Sequence, residues 1–91
     1  MELYFECEDL DRVYSGLHDS GVVFIHPIKE QPWGQRVFRA YDPDNHIVEI
    51  GEPMSVVIRR CLEEGLPEEE IVKRTSMPLS EIERIKANMS D

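Results

Sequence analysis

Glu2 and Tyr4 stand two residues apart, as do Arg39 and Tyr41, and Ile47 and Glu49. In a β-strand that spacing puts each pair on one face, so three strands could assemble carboxylates, phenols and a guanidinium on a single surface. A surface of that kind marks an interface or a ligand site. Carboxylates from separate strands are also what hard-cation binding requires, and Glu2 and Glu49 come from separate strands. Two ligands do not fill a coordination shell, so a metal there needs more from elsewhere. Trp33, on a loop between Pro32 and Gly34, reads as a rim or interface anchor or as a surface on which a ligand stacks; Tyr4 is a second stacking candidate.

The elements that must position these groups follow from patterning. Glu2 to Cys7 alternates strictly, with Leu3, Phe5 and Cys7 toward a core. Asp9 offers a helix N-cap, and Leu10, Val13, Tyr14 and Leu17 fall at helical spacing until Gly21. Val22 to Ile25 predicts a second strand closed by Pro27, and residues 28–34 a loop, because Pro32 and Gly34 oppose a regular element. Arg36 to Tyr41 alternates again. Asp42-Pro43-Asp44-Asn45 is a tight turn with Asn suited to a left-handed position, and His46 to Ile50 is the last strand, stopped by Gly51. The order is βαβββ, an α+β arrangement. One helix covers one sheet face, with Leu3, Phe5, Phe38, Val48 and Ile50 beneath it. Glu2, Tyr4, Val37, Arg39, Tyr41, Ile47 and Glu49 are then left on the other, where apolar and aromatic groups together point to an interface or ligand site rather than a solvated face.

Residues 1–52 resemble the vicinal oxygen chelate superfamily of glyoxalase, bleomycin-resistance and extradiol-dioxygenase proteins. The resemblance rests on Glu2-Leu3-Tyr4-Phe5-Glu6, on Gln31-Pro32-Trp33-Gly34-Gln35-Arg36-Val37-Phe38 and on Asp42-Pro43-Asp44-Asn45-His46-Ile47-Val48-Glu49. It implies a βαβββ module that pairs with a second to form a cupped sheet with a divalent metal in the cup. By position, Glu2 and Glu49 would be the metal ligands, with Arg39 and Tyr41 facing the substrate. It further implies Lewis-acid chemistry on vicinal oxygens, with Glu49 able to act as base in a lyase or dioxygenase. The alternative it allows is binding or resistance without metal or catalysis. Mg, Mn, Zn, Ni and Fe are the candidate ions, and an all-carboxylate set favours Mg²⁺ or Mn²⁺. A family member has two modules and this chain resembles the second. Either two copies pair as a homodimer, or the first module has been lost or cut off. A two-fold dimer would set two Glu2 and two Glu49 around one site, with Arg39 offsetting their charge.

Residues 53–91 read as a helical extension. Met54 to Glu64 carries Val57, Ile58, Cys61 and Leu62 on one stripe before Gly65; Pro67 opens a second helix, and a third begins near Pro78 or Leu79 with Ile82 and Ile85 inward. Three short helices with a tight turn resemble a helix-turn-helix. From Glu52 onward, however, nine acids face six bases, and the whole chain carries −9. Phosphate contact calls for a basic stripe, so a nucleic-acid partner is disfavoured against a helical cover or dimer support.

The 91 residues limit the chain to one small domain with an appendage, whose free monomer would be marginal. No apolar run nears a membrane span and no basic leader precedes one. Cys7 and Cys61, far apart, read as reduced thiols of a cytoplasmic protein, with Cys7 in the core. His18 and His26 read as surface residues, and His46 points away from Glu49 by strand parity.

Overall fold

The structure, a computed structural model, describes residues 2–89. β1 (Glu2–Glu6), α1 (Leu10–Asp19), β2 (Phe24–Glu30), β3 (Arg36–Tyr41) and β4 (Ile47–Gly51) form the βαβββ unit. Helices α2 (Met54–Glu63), α3 (Glu68–Thr75) and α4 (Leu79–Met89) follow it. The sheet order is β1-β4-β3-β2, with β1 parallel to β4 and the other pairs antiparallel.

Local chemistry sets the boundaries. The Asp9 carboxylate caps α1 by accepting the Arg12 N–H at 3.2 Å. Asn45 (φ 62°) takes the left-handed position of the turn before β4. Gly65 (φ +83°) and Ser76 (φ 59°) end α2 and α3 in the same region. The expected second strand is corrected: it runs through Pro27 to Glu30, well beyond Ile25, and takes up much of the expected loop. β2 is an edge strand and its register shifts on both sides of His26, which is where a residue without an N–H is tolerated. β4 is shifted by one residue and includes Gly51.

The register gives each face its membership. Leu3, Val48, Ala40 and Phe24 form one row on the helix side, and Phe5, Ile50 and Phe38 the next. Tyr14 of α1 meets Phe24 at 4.6 Å and Phe38 at 5.2 Å between ring centroids. That places α1 over β2 and β3 and leaves β1 uncovered. Phe5, expected beneath the helix, is correspondingly 54% exposed.

The three tail helices bury Val57, Ile58, Cys61, Ile71, Ile82 and Ile85 together, a core separate from the one under α1. The radius of gyration is 15.0 Å, against about 12 Å for a close-packed chain of this length. The excess reflects an elongated shape, 42 × 25 × 16 Å along its principal axes. No helix among the described residues is long and apolar enough to cross a membrane.

Candidate functional site

The second sheet face also has rows. Glu2, Ile47 and Tyr41 lie across from one another, then Tyr4, Glu49 and Arg39, then Glu6, Gly51 and Val37. His26 pairs with Arg39 across the β2 irregularity and extends the middle row. Arg39 links two rows: its Nε donates to Glu49 Oε1 at 3.0 Å, and its Nη2 lies 3.4 Å from Glu2 Oε1.

One end of this face is closed. Val37, expected to be open, is buried. The cause is Gly51, where an added Cβ would come within 3.0 Å of Val37 Cγ1, the Tyr4 hydroxyl and Gln35 Nε2 alike. Lacking a side chain, Gly51 lets these three groups fold over the strand. Gln35 is the hub: it donates to the Tyr4 hydroxyl at 3.0 Å and to the Glu52 carbonyl at 2.8 Å, and accepts from Trp33 Nε1 at 2.9 Å. Partial burial raises the Tyr4 pKa above its ordinary value, the Gln35 hydrogen bond opposes that, and Glu6 and Glu49 reinforce it. Tyr4 is therefore a neutral phenol at physiological pH.

Gln31, Trp33, Gln35, Val37, Arg39 and Glu49 line a recess of about 290 Å³ on this face. Tyr41 stands apart from it, in a wider depression with Val22, Val23 and Pro43. The six expected site residues thus share a face, but Trp33, Arg39 and Glu49 form one recess while Tyr41 belongs to another. Tyr4, Trp33 and Tyr41 are 48%, 41% and 40% exposed.

Within this chain the Glu2–Glu49 pair does not fit a metal ion. A guanidinium already occupies the position between the two carboxylates, and among the described residues no third ligand residue joins them. Among the described residues, one group of three or more potential ligands lies close enough to hold an ion: Asp42, Asp44 and His46. Its Asp42 oxygens already accept the Asp44 and His46 N–H groups, at 2.9 and 2.8 Å, and meet His46 Nδ1 at 3.1 Å. These bonds shape the turn and hold the Asp42 pKa below its ordinary value.

Residues 1–55 match the sequence profile of the glyoxalase-like domain. The chain belongs to that family. The solved structure of a member of the glyoxalase/bleomycin resistance protein/dioxygenase superfamily from Sphaerobacter thermophilus is 33% identical with a TM-score of 0.53, and the match covers 56% of this chain and 41% of that one. A protein of unknown function from Agrobacterium tumefaciens, also solved, is 51% identical over 58% of this chain and 41% of its own, with a TM-score of 0.53. The Bacillus subtilis protein YraH is 39% identical over 49 residues, 53% of this chain and 38% of the relative. The chain therefore spans less than half the length of these relatives, and the family match ends at residue 55, where the tail begins.

Sequence patterning did not single out Gln35, Glu52 or Arg60. Glu52 is buried, receiving Arg60 on both oxygens at 2.7 and 2.8 Å and the Arg36 N–H at 2.9 Å. Burial pushes its carboxyl up, but the bonds from Arg60 and Arg36 outweigh it and hold the pKa below the ordinary value. In the tail, Arg84 pairs with Glu81, and Lys86 Nζ reaches Glu68 at 2.9 Å, so both cations of α4 are partly spent on acids of the same chain.

Proposed function

We propose that this chain is half of a ligand-binding cup, that a second copy closes it, and that the cup holds a small oxygenated or aromatic molecule without a resident metal. The observation that carries the reading is the position of Arg39 between Glu2 and Glu49. A guanidinium has five N–H donors, more than its two carboxylate contacts use, so it can also hold a ligand oxygen. Trp33 and Tyr4 supply aromatic surface beside it. A recess of about 290 Å³ sits at the small end of ligand sites, which suits half of a shared pocket.

Pairing is supported by what remains uncovered. β1 is an edge strand with Tyr4 and Phe5 both exposed, one on each face. Edge backbone groups and exposed apolar side chains of this kind invite a second chain. The superfamily name carried by the Sphaerobacter relative is consistent with small-molecule binding. Catalysis at Glu49 receives less support, since taking a proton would require it to surrender its pairing with Arg39. Nucleic acid stays outside the proposal because the tail offers no basic stripe.

Calorimetric titration with Mg²⁺, Mn²⁺ and Zn²⁺ tests the metal-free part. The wild type should give no saturable heat. Arg39→Met, which in the paired cup leaves two Glu2 and two Glu49 uncompensated, should acquire divalent binding. Saturable binding in the wild type that disappears in Glu49→Ala would establish the metal form instead.

A further inference from the structure

The Trp33 loop is attached to the tail rather than standing free. Arg60 of α2 donates from Nη2 to the Gly34 carbonyl at 2.8 Å while its two nitrogens clasp Glu52. Gly34 has φ +90°, and a Cβ there would meet Val57 Cγ1 of α2 at 3.2 Å and Arg74 Cδ of α3 at 3.5 Å. The loop backbone thus lies directly on two tail helices. Neighbouring Gln35 passes the constraint on: its Nε2 donates to the Glu52 carbonyl and to the Tyr4 hydroxyl, and its Oε1 accepts from the Trp33 indole.

We propose that the helical tail is a positioning clamp for the ligand face, and that Arg60 sets where Trp33 and Tyr4 stand. That these two side chains serve a ligand rests on the function proposed above; that the tail holds them does not. Arg60 touches neither of them. It acts through Glu52, Gly34 and Gln35, so it is a positioning residue. The clamp gives the tail a role that requires no nucleic acid and no second protein. It also ties the tail to the family module through a fixed fork of charge-assisted bonds, whose geometry a lysine cannot reproduce.

Trp33 is the sole tryptophan, so its fluorescence reports on the loop without any ligand. In Arg60→Met, with far-UV circular dichroism unchanged, the emission should shift to the red. The acrylamide quenching constant should rise roughly twofold, as a loop does when it loses its packing. Arg36→Met, which also removes a Glu52 partner but does not touch Gly34, should leave both signals near wild type. Wild-type emission and quenching in folded Arg60→Met would overturn the proposal. If Arg60→Met fails to fold, Arg60→Lys keeps the charge but loses the fork and is read the same way. Because no ligand or metal enters the measurement, its failure is distinct from failure of the ligand reading.

Discussion

Arg60 and Glu52 face each other with both ends engaged, Nη1 to Oε2 at 2.7 Å and Nη2 to Oε1 at 2.8 Å, and the carboxylate is 1% exposed. Arg36 approaches the same carboxylate from the sheet with its N–H, its Nε and its Nη2. Glu52→Ala would leave Arg60 without its carboxylate partner beside a cavity, and Arg36 with Asp11 alone. Unfolding in urea should show a loss of about 3–5 kcal/mol, the range for breaking a buried pair from one side. A loss below about 1 kcal/mol would mean that water already solvates the site.

Acid should act through the same residue. The folded Glu52 pKa lies below its unfolded value of 4.5, and Asp11, bonded to Arg36, is lowered as well. A depressed carboxyl contributes stability that is complete above the unfolded pKa and is lost as pH falls through the folded one. The urea midpoint should therefore be level near neutrality and drop below pH of about 4.5. Glu52→Gln should start lower at pH 7 and fall less steeply. Parallel curves for the two proteins would exclude Glu52 as the source.

Two glycines should respond in opposite directions to the same substitution. Gly34→Ala imposes a left-handed conformation and a contact with Val57, and should cost about 1–3 kcal/mol. Gly16 lies inside α1 with open space where a Cβ would be, so Gly16→Ala should stabilise by about 0.5–1 kcal/mol. Thermal melts of the two variants check the pair, and a neutral Gly34→Ala would show that α2 does not press on the loop.

Much of this arrangement is legible in the sequence. Alternation over Glu2–Glu6, Arg36–Tyr41 and the strand that ends at Gly51 is enough to place Glu2, Tyr4, Arg39 and Glu49 on one face, because side-chain direction in a strand has a period of two. Asp9, Asn45 and Gly65 act locally, and each sits where its own chemistry indicates. β2 runs past the stop that Pro27 suggests because it lies at the sheet edge, where a missing N–H is tolerated. The Gln35 hub and the Glu52 clasp leave no periodic trace. They depend on residues 17 and 26 positions apart meeting in space, as Gln35 does with Glu52 and Gly34 with Arg60. Phe5 shows the opposite failure: its pattern predicts burial, and among the described residues it stays about half exposed.

That exposed phenylalanine supplies the next expectation. If β1 meets a second copy, Phe5→Asp puts a charge into the contact and should weaken the dimer by at least tenfold, about 1.4 kcal/mol. Sedimentation velocity over a dilution series would detect it. An unchanged dissociation constant would move the contact away from β1.

The central claim is that the open face is completed by a copy of the same chain, and light scattering coupled to size exclusion tests it most directly. The account predicts a species with twice the 10.6 kDa mass of the chain. A monodisperse species of single-chain mass would contradict it.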